Sequence, residues 1–104
     1  MKNLIKPLSE IDVDCIESVF PQPTGNIYIY EFKKALPNFC IMGGIPANVF
    51  LDGPEDFKKY VTKLILDNKD SGNFILSSAD SVPAFAKIRN LKSISALISK
   101  FGKY

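Results

Sequence analysis

The chain has 104 residues, of which 13 are Lys or Arg and 11 are Asp or Glu, so its formal net charge is +2. That length predicts one domain over residues 1–104, and the 46% hydrophobic fraction supplies a core, which excludes disordered, collagen-like and coiled-coil chains. Scattered lysines exclude a strong electrostatic attraction for nucleic acid. No run approaches the ~20 apolar residues of a membrane span, and no signal peptide is recognisable, so we expect a soluble, cytoplasmic protein.

The first part of the chain alternates between helical and extended patterns. Residues 3–10 resemble the end of a helix, and the β-branched run over 13–20 predicts a strand. Two prolines and a glycine make residues 21–26 a rigid loop. A short amphipathic helix follows over 29–36 and ends at Pro37.

The middle of the chain predicts a buried strand and a long helix. The strand covers residues 38–43 and continues into 44–46, and its apolar run is typical of a parallel strand that is covered on both faces. Pro54, followed by two acidic residues, predicts a helix start, because proline lacks the N–H that would be unpaired there. The helix closes at residues 70–72, and its apolar stripe comprises Phe57, Tyr60, Val61, Leu64 and Ile65.

The last part repeats the strand–helix order. Residues 73–77 predict the third strand, and a loop over 78–87 leads into the final helix. The residues of that helix expected to face inward are Ile88, Leu91, Ile94, Leu97, Ile98 and Phe101. Three strand–helix repeats predict an α/β fold of parallel βα units with right-handed crossovers.

Ligands of such sheets bind beyond the carboxyl ends of the strands, here the loops 17–26, 43–48 and 77–82. The candidate substrate-binding residues are Glu17, Gly43, Gly44, Ser78 and Asp80. Each has a structural alternative: a solvated or paired carboxylate for Glu17, a tight turn for the glycine pair, and an Asx-type turn for Asp80. No histidine exists to activate a serine, so a hydrolase triad is excluded.

Cys15 and Cys40 each precede an isoleucine, which predicts buried, reduced strand residues. Neither belongs to a CxxC pair, so the chain alone offers no self-contained zinc site.

Several segments, in this order, resemble the uroporphyrinogen decarboxylase-like superfamily. They are residues 12–18 (DVDCIES), 21–26 (PQPTGN), 41–46 (IMGGIP), 53–55 (GPE), 74–78 (FILSS) and 90–92 (NLK). That superfamily contains uroporphyrinogen decarboxylase and the cobalamin- and corrinoid-dependent methyltransferases, and the pattern looks closer to the methyltransferase side. The resemblance covers essentially the whole chain.

The resemblance implies a fold. The family is a (β/α)₈ TIM barrel, and these segments look like its last three βα units, about two-fifths of a barrel of roughly 250 residues. Three units cannot close a barrel, so a sheet edge and the surface that met the other units should be exposed. We therefore expect self-association or a partner that supplies the N-terminal barrel piece.

The resemblance also implies a metal. The methyltransferases hold zinc through a His-x-Cys motif and a later cysteine, and Asp80 aligns with that third ligand position while the other ligands are absent. No cofactor is expected for this chain alone; zinc and a corrinoid belong to a complete enzyme, where zinc would lower the pKa of a thiol. A carboxylate in place of a thiolate should weaken zinc affinity.

Three interpretations of function stay open. The chain is a decarboxylase-like or methyltransferase-like barrel fragment, inactive alone and completed in trans. Alternatively, it is a non-enzymatic α/β interaction module, or a truncated nonfunctional product.

Overall fold

Three strands form one parallel sheet in chain order. The computed structural model describes residues 1–103, with β1 at Cys15–Val19, β2 at Cys40–Ile45 and β3 at Phe74–Ser78. The sheet order is β1-β2-β3, and both pairs are parallel. The predicted α/β class and the parallel pairing are confirmed, whereas the equivalence of these units to a TIM barrel stays a prediction.

Helices occupy every connection. The α-helices are α1 (Ile5–Leu8), α2 (Ile29–Ala35), α3 (Pro54–Asn68) and α4 (Ile88–Phe101), with short 3₁₀ helices at Lys2–Leu4, Ala47–Leu51 and Lys69–Ser71. The radius of gyration is 13.7 Å, close to the roughly 13 Å expected of a compact chain of this size. Within residues 1–103, no helix combines the length and the apolar character needed to cross a membrane.

The start of α3 follows the predicted chemistry. Gly53 is the N-cap, Pro54 is the first helical residue, and two carboxylates lie in the first turn, where they interact favourably with the helix dipole. The α-helix ends at Asn68, slightly before the predicted 70–72, and a 3₁₀ turn continues to Gly72 at φ +59°. Glycine suits that left-handed position because it has no Cβ.

The sheet is covered by helices on one face. Ile16, Ile41 and Phe74 are register partners across the three strands, and they pack against residues of α1, α2 and α3. The residues one position further along, Glu17 and Ile75, are exposed, because successive strand residues point to opposite faces.

We call the second face the open face and define it by Cys15, Glu17, Cys40, Met42 and Ile75. The prediction that β2 is covered on both faces is therefore wrong for the described residues: Met42 and Cys40 are only half-buried. The physical reason is that crossovers of the same hand between strands in chain order place both connecting helices on one side.

Two apolar clusters make up the core. The first joins β1, α2 and β2 around the fully buried Val19, Phe32 and Ile41. The second joins the end of β2 to α3 and α4 around Phe50 and Phe57, whose rings lie 5.6 Å apart. Each buried side chain of this size contributes about 1.5–3 kcal/mol to folding.

The cysteines differ from the prediction. Cys15 is exposed and Cys40 is half-buried, and both are free thiols. They belong to the open face rather than the core, and the isoleucine that follows each one, Ile16 or Ile41, is the residue that points into the core. Apolar neighbours in a strand thus indicated burial of the strand but not which face was covered.

The inward stripe predicted for α4 is only partly correct. Ile94, Leu97 and Phe101 pack against the second cluster. Ile88, Leu91 and Ile98 are 67%, 38% and 40% exposed. The apolar stripe is wider than the surface that α3 offers, so its margin has no partner within the described chain.

A buried amide anchors the start of α4. Asn90 is 1% exposed, and its Nδ2 donates to the Phe50 and Asp52 carbonyl oxygens at 3.1 and 3.0 Å. The Phe50 carbonyl oxygen also accepts from Lys87 N–H at 3.3 Å, so the end of the 3₁₀ helix Ala47–Leu51 is joined to the start of α4 by both side-chain and backbone hydrogen bonds.

Replacing Gly44 by alanine should destabilise the fold. Its φ is +103°, and an added Cβ would lie 2.8 Å from Leu64 Cδ2 and 3.1 Å from Ile29 Cδ1. Strain and overpacking together should lower the free energy of unfolding by about 2–4 kcal/mol, measured by urea denaturation. Gly53→Ala is the matched control, because nothing lies within 4 Å of its Cβ position, and it should change stability by less than about 1 kcal/mol. Equal effects of the two substitutions would contradict this account.

Candidate functional site

The carboxyl ends of the three strands meet at one edge of the sheet. Ser18 Oγ donates to the Ala79 carbonyl oxygen at 2.8 Å, and Ala79 N–H donates to the Ile45 carbonyl oxygen at 3.0 Å. A Cβ on Gly43 would lie only 3.0 Å from Ala79 Cβ. The ends of β1, β2 and β3 are therefore tied together through the buried Ala79.

Ser18 occupies an irregular position in β1. The register shifts between Glu17 and Val19, and Ser18 between them has φ +66°. A bulge of this kind resets the alternation of side chains, so that Val19 enters the core instead of the open face. Sequence reasoning did not single out Ser18, because a serine in a β-branched run gives no signal of a bulge.

Glu17 stands apart from the other candidates. It is exposed on the open face beside Met42, its register partner. Its carboxylate forms no hydrogen bond to another protein group in the described chain. In this structure the Glu17 carboxylate is therefore exposed to solvent, as the structural alternative for this residue predicts.

Ser78 and Asp80 are occupied by contacts inside their own loop. Ser78 Oγ donates to the Asp80 carbonyl oxygen at 2.7 Å, and Asp80 Oδ1 accepts from Ser81 N–H at 2.6 Å. Asp80 is exposed. The side chain thus holds a local turn, which agrees with the structural alternative for this residue.

The glycine pair shapes the end of β2. Gly43 and Gly44 have φ +131° and +103°, values that L side chains rarely adopt. Tyr60 on α3 donates its hydroxyl to the Gly44 carbonyl oxygen at 3.1 Å. Burial, with a smaller effect of Tyr28, raises the pKa of Tyr60 to about 12, so this hydroxyl remains a hydrogen-bond donor throughout the neutral range.

A cleft of about 100 Å³ lies between the start of α2 and the middle of α3. Its walls include Tyr28 and Tyr30, whose stacked ring centroids are 5.6 Å apart, together with Tyr60 and Gly44. Asn68 also lines it and is 2% exposed, with its Oδ1 unpartnered. The cleft is mainly apolar and suits a small apolar or aromatic group, and the exposed ion pair of Lys63 and Asp67 lies on its wall.

Sequence reasoning missed this cleft. Tyr60 was assigned to the apolar stripe of α3, and Tyr28 and Tyr30 were not singled out. The available signal was the Tyr-x-Tyr spacing at the start of α2, where Tyr28 is the extended N-cap and Tyr30 lies in the first turn.

The carboxyl-end candidates do not form a metal centre. Within residues 1–103, no three His, Cys, Asp or Glu side chains lie close enough together to hold a metal ion. Asp80 accepts a hydrogen bond from Ser81 N–H. Cys15 and Cys40 both lie at the amino ends of their strands, at the edge of the sheet opposite Asp80. The residues present therefore do not fit the zinc that the resemblance implies.

Comparisons with protein-family models, with curated proteins and with solved structures find no match to this chain.

Two substitutions at Ser18 should separate its hydrogen bond from its backbone strain. Ser18→Ala removes the bond to Ala79 and keeps the unfavourable φ, so it should cost about 1–2 kcal/mol of unfolding free energy. Ser18→Gly removes the same bond but tolerates φ +66°, so it should be about 1 kcal/mol more stable than Ser18→Ala. Urea denaturation of both variants measures the difference. A glycine variant less stable than the alanine variant would show that the backbone at position 18 is not strained.

The pKa of Tyr60 predicts a loss of stability at high pH. The folded-state pKa of about 12 exceeds the ordinary value of 10.0, so the contribution is present below pH 10 and is lost as pH rises to 12. Tyr60→Phe should cost about 1 kcal/mol at pH 7, because the Gly44 carbonyl loses its donor. The difference between wild type and variant should shrink between pH 10 and 12 in denaturation experiments; a constant difference would contradict the assignment.

Proposed function

We propose that this chain supplies three consecutive βα units of a larger (β/α) barrel of the uroporphyrinogen decarboxylase-like type. The observation that carries the proposal is the one-sided sheet. Parallel strands in the order β1-β2-β3, with their helices on one face, are the arrangement of neighbouring units in such a barrel. The open face then corresponds to the barrel interior.

The uncovered apolar surface supports the same proposal. Ile75 on the open face is 49% exposed, and Phe85 in the loop before α4 is 88% exposed. β1 and β3 each have strand partners on one side only, which leaves backbone hydrogen-bonding groups available for pairing. Either the preceding units of a barrel or a second copy of the chain would cover these surfaces.

In this proposal the chain is inactive alone. Glu17, Gly43, Gly44, Ser78 and Asp80 contribute to the rim of the barrel mouth, where barrel enzymes bind their substrates. The chemistry implied by the resemblance is decarboxylation of a porphyrinogen or methyl transfer between a thiol and a corrinoid, and it needs groups from the other units. Two free thiols fit a cytoplasmic location, because thiols are kept reduced there.

The test is whether the open face binds the missing units. The chain is mixed with a separately produced piece that contains the first five βα units of a uroporphyrinogen decarboxylase-like barrel. Light scattering after gel filtration should show a one-to-one complex, or self-association of the chain when it is alone. Ile75→Lys should weaken either association at least about tenfold, because it places a charge in the buried interface.

Leu66→Lys is the matched control. Leu66 is 45% exposed, close to the 49% of Ile75, but it lies on α3, which would form part of the outer ring of a barrel. The association should survive this substitution. A chain that stays monomeric at every concentration and does not bind the five-unit piece would overturn the proposal and favour the interaction-module or nonfunctional alternatives.

A further inference from the structure

The two cysteines of the chain are direct neighbours across the sheet. Cys15 opens β1, Cys40 opens β2, and they are register partners in the parallel pair. Both are free, with Cys15 exposed and Cys40 half-buried. Although 25 positions separate them in sequence, the fold thus places two accessible thiols side by side at the amino end of the sheet.

The spacing of the strands suits a bond between the two sulfurs. Neighbouring strands lie about 4.8 Å apart, within the Cα separation of about 4.4–6.8 Å that disulfides bridge. Burial and, after it, the neighbouring Cys40 thiol raise the pKa of Cys15, as expected for two side chains that lie next to each other. Metal binding is less suited to this pair, because no third ligand side chain lies close enough within residues 1–103.

We propose that Cys15 and Cys40 form a reversible disulfide that links β1 to β2, and that a small-molecule disulfide such as oxidised glutathione is the oxidant. The proposal concerns the chain alone, because Cys15 and Cys40 belong to the open face, which the other units of a barrel would cover. Nothing in the sequence alone suggested it, because both thiols were expected in the core.

The exchange proceeds in two balanced steps. The exposed Cys15 thiolate attacks one sulfur of the reagent, whose S–S bond breaks and releases a first thiolate. The Cys40 thiolate then attacks the Cys15 sulfur of the mixed disulfide and releases a second thiolate. Two electrons pass from the protein to the reagent, and the two cysteine protons end on the released thiols.

The bond should be reducible rather than permanent. Cβ atoms of register partners stand about as far apart as the strands, somewhat more than the 3.5–4.5 Å usual in disulfides. Closing the bond therefore strains the start of the edge strand β1. Strained and exposed disulfides are the labile ones and exchange readily with the glutathione pool.

The test incubates the full chain in mixtures of reduced and oxidised glutathione of increasing oxidised fraction. Intact mass should fall by about 2 Da without an adduct, which reports loss of two hydrogens. A proteolytic fragment should join the peptide of Cys15 to that of Cys40. The linked chain should unfold at a temperature higher by about 5–10 °C, because the cross-link restricts the unfolded state. Excess reduced glutathione should restore both thiols and the original unfolding temperature.

Cys15→Ser and Cys40→Ser serve as matched controls, since each keeps one thiol and should show neither the mass loss nor the stabilisation. The wild-type measurement alone decides the proposal even if Cys40→Ser folds poorly. A stable glutathione adduct on Cys15 beside a free Cys40, a disulfide between two chains, a bond that reduced glutathione does not break, or no reaction would each overturn it.

Discussion

The hand of the crossover connections determines most of what is distinctive in this molecule. Parallel strands that follow one another in the sheet, joined by crossovers of one hand, must receive their helices on one side. Ile16 and Ile41 are consequently buried beneath the helices and Phe74 is partly buried there, whereas Glu17 and Ile75 face the opposite way. Alternating side chains of the same strands thus enter two different environments, and every exposed feature of the sheet follows from this division.

The close packing beneath the sheet depends on the absence of side chains at the end of β2. Gly43 lies against Ala79, and Gly44 lies against Leu64 and Ile29, so β1, β3, α2 and α3 all approach one short stretch of backbone. Tyr60 adds a hydrogen bond to the Gly44 carbonyl oxygen. The glycine pair allows this packing, because its positive φ values and the absence of a Cβ are what the close approach requires.

The sequence predicted the secondary-structure elements better than the exposure and the long-range contacts of individual side chains. The parallel strands and the Pro54 start of α3 were predictable, because both depend on local patterns of apolar residues and on helix-start chemistry. The exposure of Cys15 and Ile88 was not predictable, because it depends on whether neighbouring elements cover these side chains. The bulge at Ser18 also left no sequence signal, since its hydrogen bond to Ala79 joins residues 61 positions apart.

The candidate site shows the same limit. The sequence predicted Ser78 and Asp80 at a strand end, and the structure places them there. The structure also shows that Ser78 Oγ donates to the Asp80 carbonyl oxygen and that Asp80 Oδ1 accepts from Ser81 N–H, within the same loop. Hydrogen-bond partners cannot be read from residue types, because an aspartate at a turn serves equally as a ligand or as a local acceptor.

The two ends of the sheet therefore differ in chemical character. At the carboxyl ends, hydrogen bonds within the chain engage the side chains of Ser18, Ser78 and Asp80, whereas Glu17 is exposed on the open face. At the amino ends, Cys15 and Cys40 are free and adjacent. Thiols react without a further protein group once a soluble disulfide is present. The disulfide exchange proposed here therefore lies at the end of the sheet opposite the one where parallel α/β folds usually bind their substrates.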